Sequence, residues 1–203
     1  MKKRIPFFSV LGEKETYLNI VYILAAFPLS IIYFTLVVTG LSLSLGLLVI
    51  VAGFFIFIGT LLMLRGFRWM DVQLTRVFLT HTIEMKRDEK PSGGFSGFMS
   101  QLFGSALTWK SFVHYLVIKF PLDTVVWTIS ISFIAMTLDL LLAPALSQYW
   151  WFDDDDINRW LLDFFGDVYI FPFLGIIWGM LSLHVIRGLA WICREINQAM
   201  LGE

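Results

Sequence analysis

YLNIVYILAAFPLSIIYFTLVVTGLSLSLGLLVIVAGFFIFIGTLLML is the sequence from Tyr17 to Leu64, and it contains no Asp, Glu, Lys, Arg or His. At about 1.5 Å rise per residue, a helix of this length reaches about 70 Å, roughly twice the 30 Å hydrocarbon core of a bilayer. The segment lacks the alternation of polar and apolar residues that marks the strands of a membrane barrel. It therefore predicts two membrane-spanning helices.

The composition of the whole chain supports an all-α integral membrane protein. Hydrophobic residues make up 58% of the chain and charged residues 15%, whereas soluble domains are nearer a quarter charged. A net charge of −1 gives no basic surface, so we predict no nucleic-acid partner. The single cysteine, Cys193, excludes an internal disulfide. The basic N-terminus lacks a cleavage site and predicts a retained cytoplasmic tail.

Residues 1–203 are predicted to form one membrane domain with four spans. The first two are separated by a predicted turn at Thr39 to Gly46, where glycines and serines cluster. The segments before the first and third spans, Tyr17 to Phe27 and Ser111 to Phe120, either lie along the inner interface or continue the spans as longer helices. The predicted spans are about 28–45, 47–64, 121–139 and 168–186.

Two amphipathic helices are predicted between the second and third spans. The first follows Leu64, where charged and apolar residues alternate at helical spacing. The second lies in the segment 88–108, after a charged Pro-Gly linker, and is predicted to rest on the membrane surface. The alternative is that it packs on the protein itself. The apolar face of this second helix includes Phe95, Phe98, Met99, Leu102 and Phe103.

An internal repeat relates the two halves of the chain. Pro28 and Pro121 occupy the same place in two Phe-Pro-Leu steps that are 93 residues apart. An Arg-Gly-x-x-Trp motif ends each half, first at Arg65 and Trp69 and again at Arg187 and Trp191. Because two spans return the chain to its starting side, we predict two parallel repeats, 16–87 and 109–203, with a twofold axis along the membrane normal.

The distribution of Lys and Arg predicts the orientation. Apart from Lys119, within the third span, all but Arg159 lie on the side that holds both termini, so the positive-inside rule makes the termini cytoplasmic. The predicted location is the cell membrane, crossed several times. The opposite side is acidic and includes Asp139 and the run Asp153, Asp154, Asp155 and Asp156.

The repeated pattern of a Phe-Pro-Leu step, an apolar span and an Arg-Gly-x-x-Trp exit resembles the prokaryotic four-helix putative-sensor domain family. Domains of this family are found in archaeal and actinobacterial proteins, often at the N-terminus of histidine kinases. The resemblance extends over about Tyr17 to Leu201. It implies a membrane input module with no catalytic residues to transfer. Only about a dozen residues follow Trp191, so any output is expected to come from a partner.

Lys119 and Asp123 form the main candidate site. They are spaced i to i+4 on one helix face, and ionisable residues inside a membrane are costly and usually functional. If Pro121 instead marks membrane entry, the two form an ordinary pair that extends to the interface. The run Asp153 to Asp156 offers oxygen ligands, yet four consecutive carboxylates cannot all face one cation, so we interpret it as a solvated acidic loop. No metal site and no cofactor are predicted.

The first functional hypothesis is a non-enzymatic membrane sensor that relays a membrane or small-ligand signal. Its partners are the lipid bilayer and a kinase, a regulator or another membrane subunit. The alternative is a small transporter or channel subunit in which Lys119, Asp123 and Asp139 line a path between the repeats. A homodimer is a further alternative, because Gly175-x-x-x-Gly179 permits close helix contact either within one chain or between two.

Overall fold

The computed structural model describes residues 12–78, 94–146 and 168–201, and these are helical apart from short turns. Four helical segments are long and apolar enough to cross a membrane, which confirms the predicted all-α class and the number of spans. The helices are α1 (Lys14–Gly46), α2 (Ala52–Phe78), α3 (Gly94–Gly104), α4 (Ala106–Val113), α5 (Lys119–Leu146) and α6 (Phe171–Leu201). The predicted acidic run Asp153 to Asp156 lies outside the described residues.

The first helix is longer than the apolar count alone suggests. α1 continues through Pro28 without a break, so the segment from Tyr17 to Phe27 belongs to the span rather than to a separate interfacial helix. A proline removes one backbone donor, but helices in apolar surroundings tolerate this when neighbouring helices pack around the gap. Likewise α2 carries the amphipathic segment beyond Leu64 as a direct continuation of the second span.

The turn between α1 and α2 lies further along the chain than predicted. The residues from Thr39 to Gly46 remain helical, and the chain reverses at 47–51 instead. Near the end of this helix, the Ser44 hydroxyl donates to the Leu41 carbonyl at 2.8 Å. Gly53 fixes the new position, since a side chain there would meet the Ser44 carbonyl oxygen and the backbone of Leu47 and Leu48.

The third span is also longer than predicted. α4, a π-helical turn (His114–Ile118) and α5 form one continuous helical segment, so Ser111 to Phe120 continues the span. The Lys119 N–H bonds to the His114 carbonyl five residues back, which defines the π turn. Pro121 follows closely and has no N–H to offer the preceding turn, so the helix is already short of one bond there.

The two hairpins, α1–α2 and α5–α6, pack in opposite directions, which corrects the prediction of parallel repeats. Phe27 stacks on Trp127 with ring centres 4.5 Å apart, and Phe34 stacks on Phe120 at 4.7 Å. Seven residues forward in α1 therefore correspond to seven residues backward in α5. The repeat offset of 93 residues relates Phe27 to Phe120 and Phe34 to Trp127. The two stacked pairs are therefore equivalent under the repeat. The axis that these contacts imply runs across the helices rather than along them.

The reason for this reversal lies in α3. Phe98 is close to Arg65, and Phe103 stacks with Phe57 at 6.1 Å, so α3 runs back along α2 instead of away from it. The long helix that follows then runs parallel to the second half of α2. A repeat in the sequence specifies which residues are equivalent. A twofold axis along the helices and a twofold axis across them are both compatible with it. The connecting helix determines which arrangement is adopted.

Candidate functional site

The candidate site lies where the two hairpins overlap, a region we call the junction. There α1 runs antiparallel to α5 but parallel to α6. The Glu13–Arg187 ion pair and the Tyr22–Asn197 hydrogen bond advance together along α1 and α6. In the same way α2 runs parallel to α5. Each hairpin thus contributes both of its helices, and two apolar clusters, one around Tyr33 and one around Tyr22, fill the space between them.

The charged cluster of the junction consists of Asp71, Tyr115, Lys119 and Asp123. The Lys119 ammonium lies 3.4 Å from Asp71 Oδ1 and 3.3 Å from Asp123 Oδ2. The Tyr115 hydroxyl donates to Asp71 Oδ2 at 2.9 Å. Asp71 belongs to the first hairpin and the other three to the second. One carboxylate of the first half therefore holds two groups of the second.

Burial decides between the two sequence-based interpretations of Lys119 and Asp123. The exposed fraction is 1% for Lys119, 1% for Asp71 and 4% for Asp123. An ordinary pair at the interface would extend its ammonium to water, and Lys119 does not. Its charge is balanced inside the protein. The unfavourable free energy of removing the ammonium from water is offset only when its partners are close and well oriented. The cluster is thus an internal polar site, with two carboxylates for one ammonium.

His114 extends the polar site along the same helix. It is fully buried, and its ring meets Tyr115 edge to face with centres 5.1 Å apart. Neither ring nitrogen has a hydrogen-bond partner among the residues that the structure describes. The π turn that begins at His114 lies between it and Lys119. Buried polar groups without partners are rare, and π turns are often found at functional sites.

A second, neutral polar contact joins the halves on the other side of the junction. The Asn197 amide donates to the Tyr22 hydroxyl at 2.9 Å, and both side chains are buried. Tyr22 and Tyr115 are equivalent in the sequence repeat. Each bonds to the last helix of the opposite hairpin. Cys193 packs beside Tyr22 in an apolar cluster and is 2% exposed, so it serves as a small apolar residue.

The predicted interfacial helix packs against the protein. Leu102 is fully buried, and Phe98, Met99 and Phe103 pack on the cluster around Tyr33. This is the alternative in which the apolar face serves internal packing. Phe95 belongs to α3, but its side chain is outside the described part of the structure.

The residues of the Arg-Gly-x-x-Trp motifs stay outside the charged cluster. The Arg65 guanidinium lies over the Phe98 ring at 5.7 Å, whereas Arg187 pairs with Glu13 at 2.7 Å. Trp69 and Trp191 are 56% and 50% exposed, as expected for rings that face lipid or its interface.

Two further sequence-based candidates fall outside the cluster. Asp139 is exposed, and it lies sixteen residues beyond Asp123 on α5, so the structure does not bring it to the site. The Gly175-x-x-x-Gly179 contact is internal. A side chain at Gly175 would meet the Leu141 backbone, and one at Gly179 would meet Thr137.

Within the described ranges, no three His, Cys, Asp or Glu side chains are grouped so that they could hold a metal ion. The cluster itself offers two carboxylates, and Lys119 already occupies the space between them. Its chemistry is therefore that of an internal ion pair which either holds two elements together or releases them.

Comparison with known proteins gives one match. No curated protein and no solved structure resembles the chain detectably. A family model described as "Putative sensor" matches residues 22–201, which include the four spans apart from the first eight residues of α1, as well as the charged cluster and the neutral contact. The chain is a multi-pass membrane protein that belongs to the "Putative sensor" family.

Proposed function

We propose that the protein is a non-enzymatic membrane sensor whose signal changes the packing of the two hairpins at the junction. The family assignment supports a sensor role. The observation that carries the proposal is the position of Asp71, because it ties Tyr115 and Lys119 of the second half to α2 of the first. A signal that weakens this tie loosens the halves relative to each other.

Asp123 makes such a change feasible. A buried ammonium that lost its partner would be left uncompensated. In other proteins, removal of one partner of a buried ion pair lowers the free energy of unfolding by about 3–5 kcal/mol. Lys119 avoids this because Asp123 lies one turn away on its own helix, at 3.3 Å. In the closed state Lys119 is shared between both carboxylates, and in the open state Asp123 retains it alone.

The output passes to a second protein in this proposal. The exposed basic residues Arg76 and Lys110 are available to an acidic surface. The partner is a kinase, a transcription regulator or another membrane subunit. α3, which packs on the cluster around Tyr33, is the element placed to transmit a change in that cluster.

The test compares Asp71→Asn with Asp139→Asn in the full chain, in native membranes. Asp71→Asn weakens the tie, whereas Asp139 is exposed and outside the cluster. We expect Asp71→Asn to alter the set or amount of protein captured by chemical crosslinking and mass spectrometry, and Asp139→Asn to leave it unchanged. Equal capture by both variants and the unaltered chain would contradict the proposal. Tyr115→Phe, which removes only the hydroxyl that donates to Asp71, should change the capture in the same direction as Asp71→Asn.

Transport is the second candidate, and one observation favours it. The charged cluster lies between two halves that pack in opposite directions, and in transporters built from inverted repeats the substrate site lies at the interface of the repeats. This candidate predicts solute flux in proteoliposomes that Asp123→Asn abolishes. Asp139→Asn is again the control. If vesicles that contain the protein remain as impermeable to solutes as vesicles without it, the transport candidate is contradicted.

A further inference from the structure

A groove of about 500 Å³ runs along the second hairpin, between α5 and α6, and α1 closes part of it. Ile134 and Leu138 of α5 and Ile176 and Met180 of α6 contribute to its wall, and Ile20 is the contribution of α1. The volume is within the range of about 300–1,000 Å³ that is usual for small-molecule sites. Because Ile20 packs against the apolar cluster around Tyr22, the groove touches the junction.

The lining of the groove offers hydrocarbon and almost nothing else. Its two hydroxyl groups are already engaged: Thr137 donates to the Phe133 carbonyl at 2.8 Å, and Ser182 donates to the Gly179 carbonyl at 2.7 Å. A polar ligand would lose its hydration here without gaining partners. An apolar ligand is therefore the chemical match.

The groove has a suitable length for part of one hydrocarbon chain. On α6 the lining runs from Gly175 to Leu183, which is about 12 Å along a helix axis. The volume of about 500 Å³ over that length accommodates a single hydrocarbon chain.

We infer that the groove binds an acyl chain of a membrane phospholipid. Its walls belong to two spans and include exposed side chains, among them Leu138 and Ile176 at 53% each, so the groove opens towards the surrounding lipid. In a bilayer, acyl chains are the medium around such a surface. Resting on the proposed sensor function, this inference names the ligand class: a chain in the groove presses on Ile20 and so reaches the Tyr22–Asn197 contact.

The experiment uses two adjacent isoleucines of α6. Ile176 lines the groove, whereas Ile177 is 65% exposed and does not. The full chain is reconstituted in vesicles of phosphatidylcholine with a photoactivatable group in one acyl chain, irradiated, and mapped by mass spectrometry. We expect adducts to concentrate on groove residues such as Met180 and Leu183. Ile176→Trp should lower that yield several-fold, and Ile177→Trp should leave it near the unaltered level.

Two results would overturn the inference: adducts spread evenly over the exposed faces of all spans, or equal yields for the two variants. The readout is occupancy and involves no partner or output. Failure here therefore leaves the Asp71 tie untouched, and failure of the Asp71→Asn test leaves the groove untouched.

Discussion

The two polar contacts across the junction have the same geometry and different chemistry. On one side Tyr22 accepts a hydrogen bond from Asn197, in apolar surroundings that include Ala26 and Cys193. On the other side Tyr115, the repeat equivalent of Tyr22, donates to Asp71, beside Lys119. The neutral contact joins the same two hairpins with no charge in it. A contact of this kind does not itself require the charges that surround Tyr115, and we propose that they serve the function.

The largest expected effect concerns the direction of the halves, on which this comparison depends. In a Cys193→Ala background, Phe27→Cys with Trp127→Cys should be joined readily by a short thiol-to-thiol crosslinking reagent, because the two native rings stack at 4.5 Å and so face each other. Phe27→Cys with Phe120→Cys, the pair that parallel repeats would bring together, should not. Mobility on non-reducing gels measures both. The opposite result would restore the parallel arrangement.

Removal of the cation comes next. Lys119→Met leaves the Asp71 and Asp123 carboxylates buried and facing each other, and loss of one partner of a buried pair typically lowers the free energy of unfolding by about 3–5 kcal/mol. Denaturation of the detergent-solubilised protein by SDS measures this loss. Met has nearly the length of Lys, so the loss reports the missing charge rather than a change in packing.

A companion variant separates stability from function. The triple replacement Asp71→Asn, Lys119→Met and Asp123→Asn removes every charge together, and such replacements are often close to neutral in stability. We expect a free energy of unfolding near that of the unaltered chain. The proteins captured by crosslinking should nevertheless differ from those captured by the unaltered chain. A triple variant that folded well and still signalled would show that the charges are not functional.

The smallest effect compares the two tyrosines directly. Tyr115→Phe removes a hydrogen bond to a charged acceptor, worth about 1.5–3 kcal/mol, whereas Tyr22→Phe removes a neutral one, worth about 0.5–1.5 kcal/mol. The same SDS denaturation should rank the Tyr115 variant as the less stable. Equal losses would mean that the Asp71 charge adds little to the tie.

The sequence predicted the class of fold, the number of spans and the Lys119–Asp123 pair, because these depend on composition and on spacing within one helix. It did not predict that Asp71 completes the cluster. Asp71 is the only acidic residue between three arginines in the amphipathic part of α2, which suggests pairing with one of them rather than with Lys119. Its true partner depends on the direction of the second hairpin, and an offset of 93 residues does not encode a direction.

The helix boundaries were missed for a related reason. Apolar counts end where charges begin, at Arg65 and before Pro121, yet backbone hydrogen bonding continues through both positions. The charged turns there are covered by neighbouring helices, so they need no contact with lipid. The composition of the segment around His114 does not predict the π turn.

The contact between Tyr22 and Asn197 joins residues that are 175 positions apart. At a synthesis rate of about 5–20 residues per second, Tyr22 emerges roughly 9–35 s before its partner exists. During that interval the first hairpin is in the membrane with its buried polar face unmatched. The nascent chain therefore passes through a period in which half of the junction is exposed. The cell's insertion and quality-control machinery encounters this half before the second hairpin has been made.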